Sequence, residues 1–486
     1  MVKNGPGSGD LLCQDRKEQA MSFDRSGSRI IRPVGAFSSA GLATVRISRR
    51  RALQLGAGAA SALAVPYSFS RRASAQGDTL KFWQFYAPGG TVEAQSQWFE
   101  DTVKSWNDQN EKQVELVYVP SSDYISGTKL QTAFASGEGP DIFLISPGDF
   151  LRYANGNVLT DLTPYMDQAA IDDFYPDVIA SRQVDNKIYG IPMEVEPMAF
   201  YYDTAAWSDA GLTDSDIPQT WDQLLEVAQK LTTDERFGLS FETGPGYYQN
   251  FTWYPFMWMG GTEIVNADGK TSGLRDAGAV QALKLWQDAI NNGVAPREFL
   301  GTGGGDASAN LGAGYVAIQN VGIWAIAELK ANAPDVQFDV FKLPVPDGGT
   351  YSTVLGGWAF VANSQAADPE TAAKFCVWAL GSMAEDSVQR MVDWCIKVKS
   401  DIAPRKSARD AATEQGGYAE GPLKKFNEEI FPGGRGEPRV TPEIYKAISD
   451  AIQSAQLDGA DPQAAGETAA QAIESFLTTY QGAPIL

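Results

Sequence analysis

Leu80-Lys81-Phe82-Trp83-Gln84-Phe85, a helical pattern over 92–110, Val114-Glu115-Leu116-Val117-Tyr118-Val119 and Asp141-Ile142-Phe143-Leu144-Ile145 follow one another in this chain, and their alternation decides the fold. Residues 80–85 read as a strand. Over 92–110, Trp98, Phe99, Val103 and Trp106 recur on one helical face. The β-branched run 114–119 is a second strand, and a helix is expected over 124–136. Gly137-Glu138-Gly139-Pro140 then turns the chain into 141–145. That last run is continuously apolar, as suits a strand buried on both faces of a parallel sheet. A βαβαβ opening predicts an α/β protein whose open sheet meets ligands beyond the carboxyl ends of its strands.

Working outward, Thr220-Trp221-Asp222-Gln223 has the form of a capping box. It opens a helix with Trp221, Leu224, Leu225, Ala228 and Leu231 at helical spacing. Further helices are expected over 280–292, closed by Gly293, and from Asp368-Pro369-Glu370, where a cap, a first-turn proline and an acid coincide. Two more are expected near the end, 442–456 and 462–479. Trp98, Trp106, Trp221, Trp286 and Trp378 fall in amphipathic patterns and are assigned to the core. The glycine run 301–305 lacks the Gly-Lys-Ser/Thr ending of a phosphate loop and is read as a connector.

Composition narrows the chemistry. The 486-residue chain contains no histidine, which removes Ser-His-Asp and Cys-His catalysis and histidine-bearing zinc sites. No cofactor or metal is expected. The first 75 residues hold 12 Lys/Arg against 4 Asp/Glu, leaving 27 basic and 56 acidic side chains, a formal charge of −29, in the remainder. Such a surface repels phosphate backbones and argues against nucleic-acid binding. Cys376 and Cys395 either pair in an oxidising compartment or stay as buried free thiols; their apolar helical surroundings allow both.

Ser48-Arg49-Arg50-Arg51-Ala52-Leu53-Gln54 is similar to a twin-arginine export motif. A small-residue apolar stretch over 53–69 and Ala73-Ser74-Ala75 follow it. The stretch is short and interrupted by Pro66, unlike a membrane anchor. Residues 1–44 read as disordered or as an over-extended gene start, and 45–75 as a signal peptide. Cleavage after Ala75 would release a soluble periplasmic chain.

Several segments in order resemble the extracellular solute-binding protein family 1, the maltose-binding-protein-like receptors of ABC importers. They are Gly139-Pro140-Asp141-Ile142, Tyr189-Gly190-Ile191-Pro192, Phe200-Tyr201-Tyr202-Asp203, Pro218-Gln219-Thr220-Trp221-Asp222-Gln223-Leu224, Gly260-Gly261 with Asp268-Gly269-Lys270, Gly322-Ile323-Trp324, Gly356-Gly357-Trp358 and Pro404-Arg405. Together they span about 80–480. The resemblance implies a two-lobe periplasmic-binding-protein fold of type II-like form, each lobe a mainly parallel sheet flanked by helices and discontinuous in sequence. The expected lobes are 79–193 plus 345–398 and 198–340 plus 404–480, joined by hinge strands. It also implies a monomer that clamps a sugar or small oligosaccharide and hands it, chemically unchanged, to ABC permease subunits at the inner membrane.

A sugar offers apolar faces and a rim of hydroxyls, which suit aromatic planes and carboxylates or amides respectively. Carried over by motif, the expected ligand set is Tyr86, Asp149, Glu196, Asn250, Trp253, Trp324, Trp358, Arg405 and Tyr445. Alternation in Met193-Glu194-Val195-Glu196 points both acids to one side. Trp324 is the leading stacking platform. Core packing is the competing role for Trp253 and its neighbours, and a structural ion pair for Arg405. Two other readings stand beside this one. A carbohydrate-active enzyme could use a carboxylate pair from Asp149, Glu194 and Glu196. A polyamine receptor could use the same acids and rings.

Overall fold

The computed structural model describes residues 79–125 and 127–485. The strands that position the site are β1 (Thr79–Gln84), β2 (Gln113–Tyr118), β3 (Ile142–Ile145), β4 (Ile191–Pro192), β5 (Met198–Asp203), β6 (Ile318–Gly322), β7 (Phe338–Phe341), β8 (Thr353–Leu355), β9 (Ala359–Ala362) and β10 (Gly434–Gly436). The first sheet has the order β2-β1-β3-β9-β4. β1 runs parallel to β2, from Thr79↔Gln113 to Gln84↔Tyr118, and parallel to β3 through Phe82↔Ile142. β9 returns antiparallel between β3 and β4.

The expected βαβαβ opening is present, with the helix Glu93–Asn107 burying Trp98, Phe99, Val103 and Trp106 against the sheet. Phe82, Phe99, Phe360 and Phe375 interlock beneath it, with Phe82 and Phe360 4.9 Å apart edge to face, an arrangement the ring quadrupoles favour. The helix expected over 124–136 is broken in two, Ser121–Ile125 and Thr128–Ser136, because Gly127 between them sits at φ 73°.

The second sheet has the order β6-β5-β7, and here the strands are antiparallel at both pairings. The two-lobe α/β architecture holds, but the mainly parallel character belongs to the β2-β1-β3 half of the first sheet. A parallel neighbour of β6 does exist in the segment 237–241: Ala317 N–H donates to Phe237 O at 2.8 Å and Ile318 N–H to Gly238 O at 3.1 Å. The capping box at Thr220 closes in both directions, and the helix Trp221–Leu231 buries Trp221, Leu224, Val227, Ala228 and Leu231. The helix Tyr247–Met259 is buried on nearly every side, and Trp286 stacks on Phe241 at 4.9 Å and 13°. The terminal helices are Pro442–Gln456 and Pro462–Leu477. Trp378, expected in the core, packs edge-on against Trp106 at 5.2 Å but is only half-buried, with the Arg390 guanidinium 4.0 Å over its ring.

Between the sheets the chain forms a narrow three-stranded ribbon. Val195 exchanges hydrogen bonds with Ile402 on one side (2.9 and 3.3 Å), and Glu196 with Gly356 on the other (3.2 and 3.4 Å). β8 pairs in parallel with β10 beside it. The segment from Arg405 to Glu414, placed with the second lobe by sequence alone, packs on the first: Arg405 bonds Asp173, Leu380 and Ser382, and the helix Lys406–Glu414 lies against the helix Glu385–Asp393. The reason is the buried guanidinium, whose acceptors all lie on that side. Cys376 and Cys395 are both buried free thiols. The export signal and cleavage position lie outside the described residues, within which no helix is long and apolar enough to cross a membrane.

Candidate functional site

The floor of the site is the hinge crossing 193–198. Glu194 and Glu196 do point to one side, and both meet the ammonium of Lys399, Glu194 at 3.7 Å and Glu196 in direct hydrogen bond. Asp401 stands 3.4 Å from the same Nζ. Ser400 between them has φ 65°, a conformation unfavourable for a residue with a side chain; it brings both neighbours onto one point. A π-helical turn, Trp394–Val398, leads into this segment and aims the Trp394 indole N–H at Glu194 Oε2. Trp358 N–H donates to Glu194 Oε1 at 2.8 Å. Burial pushes the Glu194 carboxyl up to about 7 despite Lys399. Burial likewise raises Asp401. Burial alone would lower Lys399, but Asp401, Glu194 and Glu196 outweigh it and hold it firmly protonated. The three carboxylates have oxygens within 4.8 Å of one another, a grouping able to surround a cation.

Aromatic rings wall this floor. Tyr86 stacks on Phe99 at 5.3 Å and meets Trp394 edge-on at 5.1 Å. Trp358 is half-buried, with Phe85 at 4.8 Å. Trp324 is half-buried and packs against the cores on both sides of the hinge, with Tyr248 at 6.2 Å and Phe251 at 6.4 Å. Gly356 lies against the Phe251 ring, linking the Trp324 group to the connection that carries Trp358. Tyr86, Glu196, Trp358 and Trp324, four of the expected ligand residues, thus lie around the hinge crossing. A methyl group at Gly322 would overlap the Trp324 ring. Gly322→Ala should therefore turn that indole out of place, changing the near-ultraviolet circular dichroism while far-ultraviolet signal persists.

A second group sits where the lobes touch. The helix Pro147–Asn155 carries Asp149 in its first turn. Asp149 accepts from Arg152 Nε at 2.6 Å, and Arg152 Nη2 donates to the Tyr445 hydroxyl at 2.5 Å. Tyr247 packs near Tyr445 at 6.4 Å. Burial raises the Asp149 carboxyl, opposed by Arg152. Beside them Glu437 is buried and accepts from Gly148 N–H at the same helix's amino end; burial nevertheless pushes it up to about 8, against the pull of Arg182.

Three expected ligand residues are placed elsewhere. Trp253 is fully buried in the second core. Asn250 is fully buried too, and its amide donates to Tyr445 O at 2.7 Å, so it anchors the backbone of Tyr445. Arg405 is fully buried and saturated by Asp173 (2.7 Å), Leu380 O (3.0 Å) and Ser382 O (2.8 Å). Sequence reasoning missed Lys399, Asp401, Arg152, Glu437 and the pair Tyr247-Tyr248. The signal for the tyrosines was present in Gly246-Tyr247-Tyr248 opening a helix; Lys399 and Asp401 had none, because an isolated Lys-x-Asp is common on any surface.

The family model of bacterial extracellular solute-binding proteins matches residues 89–386. The galactooligosaccharide-binding protein of Bacillus subtilis is 24% identical over 414 residues, 83% of this chain and 90% of that one. A binding protein of Brucella abortus is 28% identical over 228 residues, 46% of this chain, and the match spans only 54% of that relative's length. An ABC transporter solute-binding protein from Thermotoga lettingae, solved with alpha-D-tagatose, superposes with a TM-score of 0.69 at 21% identity over 82% of this chain and 100% of the other. With a family match over more than half its length and the same fold around a hinge, the chain belongs to the bacterial extracellular solute-binding protein family.

Proposed function

We propose that the protein is the substrate-binding component of an ABC importer, closing on a sugar or small oligosaccharide between its lobes and delivering it unchanged to the permease. The observation that supports this most is the joining of Glu196, Tyr86, Trp358 and Trp324 around one hinge. Flat rings serve the apolar faces of a sugar and the acid its hydroxyls. A hydrogen bond to a charged group contributes about 1.5–3 kcal/mol, so a few of them with one or two stacks reach roughly micromolar affinity. Closure follows because a guest touching both lobes binds the closed form better than the open one. Asp149, Arg152, Tyr445 and Glu437, where the lobes meet, are the groups a guest would engage on closing.

In this reading the chain is exported through the twin-arginine signal, cleaved after Ala75, and works as a soluble periplasmic monomer. In the same reading it performs no chemistry: Glu194 is fully buried with both oxygens engaged by Trp394 and Trp358, Glu196 is bound to Lys399, and Asp149 is tied to Arg152. The test is thermal shift and titration calorimetry against carbohydrates, with putrescine and spermidine as the competing class. At least one neutral mono- or oligosaccharide should raise the melting temperature. Trp324→Ala should weaken that binding about 10- to 100-fold, the loss of a stacked ring worth roughly 1.5–3 kcal/mol. A response to polyamines alone, or sugar cleavage abolished in Glu196→Gln, would overturn the reading.

A further inference from the structure

The groups around Lys399 Nζ form an amine-binding site by their chemistry. Three carboxylates approach it, Glu194 at 3.7 Å, Asp401 at 3.4 Å and Glu196 in hydrogen bond. Two aromatic faces complete the enclosure, Tyr86 with its ring centre 5.6 Å away and Trp394 at 5.8 Å. Carboxylates together with ring faces are the recognised way to hold an ammonium. The enclosure is buried: Lys399 is 4% exposed, Glu194 and Asp401 0% and Glu196 7%. Both Asp401 oxygens lack a hydrogen-bond donor at normal geometry, so Lys399 satisfies this acid only as an ion pair.

We infer that Lys399 is a specificity-determining residue, a tethered ammonium that fills this amine site from within and so reserves the cleft for uncharged guests. The inference deepens the proposed function and rests on it only for the location of the cleft. Without Lys399 three buried acids at the hinge would lack a cation, and a small amine is the solute that could supply one. The chain prevents this by spending its own lysine there, on a backbone held at positive φ by Ser400. The same contact fixes Glu196, whose charge is also felt by Arg182, Glu437 and the hydroxyls of Tyr247 and Tyr248, so Lys399 also positions the acid that a neutral guest would meet.

The experiment is complementation of Lys399→Ala by n-propylammonium, which replaces the missing end of the side chain, with n-propanol as the uncharged control. The full chain with its wild-type sequence should show no saturable response to propylammonium. Lys399→Ala should bind it at least tenfold tighter than propanol and gain melting temperature on doing so. Lys399→Met, which fills the space with an uncharged chain, should not respond. Should Lys399→Ala fail to fold alone, its refolding yield should recover in propylammonium chloride and not in potassium chloride of equal strength. A folded Lys399→Ala indifferent to the amine, equal refolding in both salts, or equal amine binding by the wild type would each overturn the inference. No sugar enters these measurements, so their failure leaves the carbohydrate reading standing, and a wild type that binds no carbohydrate leaves the amine result readable.

Discussion

Arg405→Ala should lower the unfolding free energy by about 3–5 kcal/mol and leave the ligand affinity of the folded protein within about twofold. The guanidinium is fully buried and makes an ion pair with Asp173 at 2.7 Å. It also donates to the carbonyls of Leu380 and Ser382, which end the π-helical turn Val377–Gly381. Truncation strands those acceptors together with a partly buried carboxylate, and the cost of a buried group left without its partner exceeds the gain of forming the pair. Lysine would not rescue it, because one ammonium cannot reach acceptors spread across the planar fork. Urea denaturation gives the stability and calorimetry the affinity. A variant of unchanged stability that loses its ligand would return Arg405 to the binding set.

The second large effect is on pH dependence. Stability should fall from pH 5 to pH 8, and Glu437→Gln should remove about 3–4 kcal/mol of that fall. Burial lifts Glu437 from the ordinary carboxylate range to about 8 and Glu194 to about 7. Between the unfolded value near 4.5 and these folded values the native state holds the extra protons. Its advantage therefore shrinks as pH rises through that window, and is fully present only below it. Glutamine keeps an oxygen to accept from Gly148 N–H and has no charge to desolvate. The variant should match the wild type at pH 5 and exceed it at pH 8. Parallel denaturation curves for the two proteins at both pH values would contradict the buried placement of Glu437. The effect has a bearing on function: an anionic Glu437 is disfavoured where the lobes meet, so the same window should tilt the empty protein towards opening.

Much of the fold could be read directly. The 3.6-residue spacing of Trp98, Phe99, Val103 and Trp106 encodes a helix face wherever the chain goes, and Thr220 with Gln223 encodes a helix start through contacts three residues apart. The break at Gly127 was less legible, since a glycine inside an apolar pattern signals a break only when its φ turns positive. Strand direction in the second sheet was not legible at all: the same apolar run serves either orientation, and the partner is chosen by the connections.

The site divided in the same way. Glu194 and Glu196 were found together because strand alternation is a local rule. Trp253 and Asn250 were drawn into the ligand set by an aromatic-dense segment, yet the helix Tyr247–Met259 is buried almost all round, so density of rings there reports core and not cleft. Lys399 and Asp401, about 200 positions from the acids they meet, were invisible.

The chain by itself determined its α/β class, its lack of histidine chemistry and the acids and rings on offer, because these follow from composition and from spacings of two to four residues; its two-lobe form was implied by the family resemblance. Only the tertiary structure decided which of those rings stand at the hinge, which acid is engaged by its neighbours, and that a lysine fills the cage between them. Those outcomes depend on burial and on distances between remote segments, and the free energy of a charge is set by its surroundings in space, which no short stretch of sequence specifies.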